Sequence, residues 1–131
     1  KKLEKKASIL VGIQPTSPIR DSKDFDNAIT QFIKSKYDSL FSALKMNDFF
    51  IWKKNKKKLI PNYNFKKRPR RQNINDKFLE NGSFYIFKTK KFLRHKCRLF
   101  EKIGIYEMEK IKSFQIDDIE DITIIEKLMK K

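Results

Sequence analysis

At 131 residues, with 39% hydrophobic and 13% aromatic side chains, the chain has the apolar material for one domain with a sizeable core, which excludes an intrinsically disordered polypeptide. Its 32 lysines and arginines against 16 acids leave a formal charge of +16, so phosphate-bearing partners or anionic membranes are favoured on electrostatic grounds. The single cysteine, Cys97, excludes an internal disulfide, and no apolar run approaches the roughly eighteen residues of a membrane-spanning helix.

In chain order, Ala7–Ile13 is a short apolar run without alternation, as expected of a strand covered on both faces in a parallel sheet. Two prolines stop the ladder in the loop Gln14–Asp21. Asp21 or Ser22 then caps a helix over about Lys23–Lys36, whose Phe25, Ala28, Ile29, Phe32 and Ile33 share one face. Ser39–Leu44 reads as the next strand. Phe49–Trp52 and Leu59–Pro61, separated by lysines, read as a hairpin or projecting arm. The polar stretch Lys66–Asn75 follows, then a strand over Gly82–Phe87 and a basic helix over Thr89–Phe100. Ile103–Met108 closes the sheet, and Ile119–Met129 is a terminal amphipathic helix with Ile122, Ile125 and Leu128 inward. Strands alternating with helices predict an α/β domain with a largely parallel sheet.

Four polar segments lie where such domains place their chemistry, in loops after strands or beside glycine. In Gln14–Arg20 the prolines stiffen the backbone, so the Gln14 amide and the Thr16 and Ser17 hydroxyls lose little entropy on binding; a rigid turn ahead of a helix cap would look the same. Arg68-Pro69-Arg70-Arg71-Gln72 offers guanidinium forks for carboxylate or phosphate, or a solvated basic loop. Glu80-Asn81-Gly82-Ser83 allows close backbone approach at Gly82, or is a plain turn. In Gln115–Asp121, Gln115 and Asp117 offer oxygens to Mg²⁺, while Asp117 or Asp118 can cap the last helix. His95 and Cys97 have no second His or Cys nearby, which argues against a transition-metal or Cys–His nucleophile site.

These segments occur together and in this order in the acylneuraminate cytidylyltransferases, the CMP-sialic acid synthetases and their relatives acting on legionaminic or pseudaminic acid. Gln14-Pro15-Thr16-Ser17-Pro18-Ile19-Arg20 resembles the family's QPTSPLR, Arg68–Gln72 its RPRRQ, and Asn81–Ile86 its NG(S/A)-x-YI strand. Ser113–Asp117 resembles the segment that carries its metal-binding acid. The resemblance runs from about Ser8 to the C-terminus. It implies a three-layer, Rossmann-like sugar-nucleotidyltransferase fold with a mixed, mostly parallel sheet, here a single partial domain over residues 1–131 with a dimerisation arm at about 49–67. It implies a homodimer that transfers CMP from CTP to the anomeric hydroxyl of a nine-carbon α-keto acid sugar for surface glycan synthesis, with loss of pyrophosphate. Carried onto this chain, it places Gln14, Thr16 and Ser17 near the sugar, Arg70, Arg71 and Gln72 near its carboxylate, and Asn81 and Gly82 in the substrate pocket. Asp117, with Gln115, is expected on Mg²⁺, and Gln14, Arg71 and Asp117 are the expected catalytic set.

Two departures stand out. Gln115 occupies the place of a second acid in many relatives, and nothing before Ser8 resembles the family's nucleotide-binding loop, so the chain on its own is expected neither to hold CTP tightly nor to turn over. No signal peptide is visible and a cytoplasmic protein is expected, with no membrane and no nucleic acid among its partners. The rival reading is a basic nucleic-acid-binding module built on the lysine- and aromatic-rich residues 49–71. Lys, Asn, Ile, Phe and Tyr all have A/T-rich codons, however, and a nucleotide bias explains the lysine excess without a polyanion site.

Overall fold

The computed structural model describes residues 7–46, 50–70, 73 and 77–130. Among them are six strands and three α-helices: β1 (Ile9–Ile13), α1 (Ser22–Lys34), β2 (Ser39–Met46), β3 (Trp52–Asn55), β4 (Lys58–Pro61), β5 (Lys77–Lys88), α2 (Thr89–His95), β6 (Ile103–Glu107) and α3 (Ile119–Met129). The chain divides into two compact units, one of the residues up to Leu44 with those from Glu80 onward, the other Lys45–Leu79.

In the larger unit β1, β5, β2 and β6 form a sheet in that order. β1 runs antiparallel to β5, from Ile9 opposite Lys88 to Ile13 opposite Phe84. β2 and β6 are parallel, Ser39 facing Ile103 and Ala43 facing Glu107. The Lys88 N–H donates to Asp38 O while Phe84 meets Ser42, so β5 also opposes β2. The sheet is thus mixed, as expected, with three strands in one direction and β5 against them, but with β5 in the middle only the β2–β6 pairing is parallel, where a mostly parallel sheet was expected. The unbroken apolar run of β1 comes from cover on both faces rather than from parallel neighbours. Ile9 and Val11 pack with Phe84, Ile86, Leu40, Met108 and the α1 residues Ala28 and Phe32. Leu10 lies on the other face with Tyr85, Phe87, Phe41, Phe92, Leu99 and Phe100. Period-2 alternation along β5 serves both layers at once, which is why residues 81–87 are buried without a break.

α1 starts at Asp21, whose side chain accepts from the Asp24 N–H while Asp24 accepts from the Asp21 N–H, a reciprocal capping box. Ala28 and Phe32 are its buried core; Ile33 is exposed at the margin of the stripe. α2 is shorter than the periodicity predicts. Lys96 adopts a left-handed conformation (φ 53°) and ends the helix, freeing Leu99 and Phe100 to dock under the sheet, where the Phe100 N–H and C=O both bond the buried Ser39 hydroxyl. α3 has its predicted bounds, but Ile125 alone is buried, Leu128 half-buried and Ile122 exposed. None of the described helices is long and apolar enough to cross a membrane.

The smaller unit carries a hairpin where one was expected, but its first strand begins at Trp52 and takes Lys53 and Lys54 into the ladder instead of leaving them in the connection. β3 pairs with β4 from Trp52 opposite Pro61 to Asn55 opposite Lys58, turning through Lys56 in left-handed conformation (φ 52°). Trp52, Tyr63, Phe50 and Phe65 pack ring on ring, with Phe50 and Tyr63 centroids 4.4 Å apart and the Arg68 guanidinium over Phe50.

Candidate functional site

Chain connectivity brings three of the four polar segments together at the C-terminal end of β1. The Gln14 N–H donates to Ser83 O at 3.1 Å, extending the β1–β5 ladder by one bond into the loop. Beyond it the loop is locked from inside by Arg20. This half-buried guanidinium donates through Nη1 to the carbonyls of Gln14 (2.9 Å), Ser83 (3.4 Å) and Ser17. Burial lowers its pKa, yet a guanidinium starts so high that the cation persists. Arg20 is the residue that sequence reasoning passed over. Its signal was position: an arginine after two prolines has backbone carbonyls as its nearest acceptors.

The Gln115–Asp117 segment is clipped to the same loop from the other side. The Ile116 N–H donates to Thr16 O at 2.8 Å. Just upstream, Lys112 Nζ reaches Asp21 and Asp24, each at 2.9 Å. Burial works against its charge, but the two carboxylates outweigh that and hold Lys112 above the usual lysine range. The Gln115 amide N–H donates to Asn81 O, tying the segment to β5 as well.

Gly82 lies at the point of closest approach. Its φ of +66° belongs to the left-handed region, and a Cβ there would collide with the Gln14 side-chain amide and touch that of Gln115. The hydrogen-bonding sense of the Gln14 amide follows from its surroundings: its nitrogen donates to Gly82 O, and its oxygen accepts from Arg98 Nη1 at 3.3 Å. Arg98 in turn lies over the Tyr85 ring, 4.9 Å from its centroid, while the Tyr85 hydroxyl donates to Glu80. Burial, reinforced by the Glu80 carboxylate, pushes the Tyr85 phenol up to about 12.

Several expected roles change on this geometry. Asn81 is 1% exposed, its Oδ1 accepting from Ser42 Oγ (2.6 Å) and the Ser83 N–H (3.2 Å) and its Nδ2 meeting Met108 Sδ. These bonds brace the Gly82 turn from within. Ser17 is also 1% exposed, with its hydroxyl unpartnered among the described residues, so Thr16 and not Ser17 is the exposed hydroxyl of the loop. Asp118, not Asp117, caps α3, accepting from the Asp121 N–H. Asp117 is left exposed with only its N–H engaged, to Asp121. No group of three His, Cys, Asp or Glu able to hold a metal occurs among the described residues. Among the described residues the Asp117 carboxylate and the Gln115 amide oxygen have no hydrogen-bond partner; both are oxygen donors of the kind Mg²⁺ takes. Arg70 is exposed and belongs to the smaller unit; Arg71 and Gln72 lie outside the described residues. A separate apolar cavity of about 680 Å³, lined by Ile9, Phe32, Tyr37 and Thr89 among others, lies at the opposite end of β1 and contains none of these groups.

No family model matches the chain. It is 34% identical to N-acylneuraminate cytidylyltransferase A of Danio rerio over 118 residues, which is 86% of this chain and 27% of that protein. It is 24% identical to the post-translational flagellin modification protein B of Campylobacter coli over 93% of this chain and 53% of that one. The chain thus spans about a quarter to a half of the length of these curated relatives. In fold it superposes on the crystal structure of a 4-diphosphocytidyl-2C-methyl-D-erythritol synthase from Anaerococcus prevotii with a TM-score of 0.63 at 13% identity, over 99% of this chain and 64% of that one. By fold the chain is α/β with a mixed sheet, like the Anaerococcus protein, and by sequence it is similar, over most of its own length, to an N-acylneuraminate cytidylyltransferase.

Proposed function

We propose that this chain forms the sugar side of a cytidylyltransferase that moves CMP from CTP onto the anomeric hydroxyl of a nonulosonic acid, releasing pyrophosphate. The observation that carries the reading is the convergence of Gln14, Gly82 and Gln115, three residues of the family-like segments, within one contact of each other at the end of β1. A rigid loop in this position holds an acceptor hydroxyl in line with an α-phosphorus and removes most of the entropic cost of orientation. Mg²⁺ on Asp117 and Gln115 would neutralise charge on the triphosphate. Arg70, Arg71 and Gln72 would supply further cationic and amide donors, and Thr16 a hydroxyl. The arm, with Ile51, Leu59 and Ile60 exposed, is the proposed dimerisation element.

The chain has three glycines, at 12, 82 and 104, and no Gly- and Lys-rich phosphate loop among its segments. The expected outcome is that the isolated chain releases no pyrophosphate from CTP with sialic, legionaminic or pseudaminic acid, whereas the intact protein does so with one of them. Turnover by the isolated chain would overturn the division of labour, and failure of the intact protein with all three would overturn the reading. The aromatic residues of the arm pack on one another, which disfavours a base-stacking platform and with it the nucleic-acid reading.

A further inference from the structure

We propose that Arg98 is the residue that recognises the carboxylate of the acidic sugar, and that Gln14 acts on the sugar chiefly by aiming Arg98. This inference rests on the cytidylyltransferase reading and goes beyond the assignment of the carboxylate to the Arg70–Gln72 segment. Both hydrogen-bonding ends of the Gln14 amide are already engaged, the nitrogen with Gly82 O and the oxygen with Arg98 Nη1. Each end of the amide keeps one further hydrogen-bonding site, while the Arg98 guanidinium, which meets the Gln14 oxygen through Nη1 and also the Tyr85 hydroxyl, keeps further N–H donors in a planar fork.

The other arginines of the larger unit are spent. Arg20 is turned inward onto three carbonyls, and Arg94 pairs with Glu101. Arg98 has no carboxylate partner among the described residues, and it is exposed at the edge of the loop cluster. Its plane is fixed from below by the Tyr85 ring, and the Tyr85 hydroxyl is fixed in turn by Glu80. A cation lying over a buried ring, oriented by an amide and without an ion pair among the described residues is preorganised for a planar oxyanion. A carboxylate fits that fork with two parallel bonds. A triphosphate oxygen is the other source of the same chemistry, and affinity for CTP separates the two.

The test is calorimetric titration of the intact protein with N-acetylneuraminic acid, with its neutral methyl ester and with CTP. It is made on the wild type and on Arg98→Met and Arg98→Lys, each first checked for an unchanged melting temperature. The expected result is a preference of about tenfold or more for the acid over the ester in the wild type. That preference should fall to about unity in Arg98→Met and be partly restored in Arg98→Lys, with CTP affinity unchanged throughout. An acid preference that survives in Arg98→Met overturns the role of Arg98 and leaves the cytidylyltransferase reading standing. Loss of CTP affinity with the acid preference intact assigns the oxyanion to phosphate and likewise overturns it. A wild type that binds neither sugar form removes the reading and the inference together.

Discussion

Gly82 and Ser42 show how much of the loop cluster depends on backbone space and on buried hydrogen bonds. A Cβ at Gly82 would require an L-residue at φ +66° and would displace the Gln14 amide. Gly82→Ala is therefore expected to cost roughly 1–2 kcal/mol in urea unfolding from the backbone alone, and to abolish sugar binding as well. Ser42 Oγ donates to Asn81 Oδ1 and accepts from the Phe84 N–H at 3.0 Å, all three groups being buried. Ser42→Ala leaves a buried N–H unsatisfied, an expected loss of about 1–3 kcal/mol, without touching any exposed residue of the loop. Neither role was legible beforehand. An Asn before a Gly in a sequence reads equally as ligand donor and as turn brace, and only the burial of Asn81 decides between them. Gln14, Gly82 and Gln115 could be singled out only through the family-like segments that contain them, and the structure brings those segments together.

Whole elements are held in register by two buried carboxylates. Asp24, in the first turn of α1, pairs with Lys112 and so fixes the approach to Gln115. Lys112→Met is expected to lower stability by roughly 1–3 kcal/mol and to weaken sugar binding, since Asp24 is left without its cation. Asp38, at the mouth of β2, takes Lys88 at 2.8 Å, Lys91 at 2.7 Å and the Lys102 N–H at 3.3 Å, joining the end of β5, α2 and the start of β6. The hydrogen bonds from Lys88 and Lys91 hold its carboxyl well below the usual carboxylate range. A depressed folded pKa means the stabilisation is complete above the unfolded value of about 3.9 and fades as pH falls below it. Asp38→Asn is expected to lower the melting temperature by roughly 5 °C at pH 7. The gap to wild type should begin to narrow below about pH 4 and go on narrowing as pH falls toward the depressed folded value; a gap independent of pH would show that packing, not charge, is responsible. The starts of α1 and α3 were legible from their aspartate caps, whereas α2 has no side-chain cap. The early end of α2 was not, because a lysine in left-handed conformation leaves no mark in a periodicity.

At the scale of the molecule, the α/β class, the strand sequence and the separate hairpin could be read from the alternation of apolar runs with amphipathic helices. Strand directions could not: an apolar run covered on both faces looks the same in parallel and antiparallel pairing, and β5 shows its direction only through its partners. The exposed Leu59 and Ile60 of the arm are expected to be covered by a second copy. Leu59→Asp should then shift the sedimentation of the protein from dimer to monomer; an unchanged dimer would place the interface elsewhere. The central claim is that the end of β1 is the seat of an acidic sugar. Chemical-shift mapping of the backbone amides during titration with N-acetylneuraminic acid tests it most directly. The account predicts perturbations concentrated at Gln14, Thr16, Gly82, Arg98 and Gln115. Perturbations confined to the cavity around Phe32 and Tyr37, or none at saturating sugar, would contradict it.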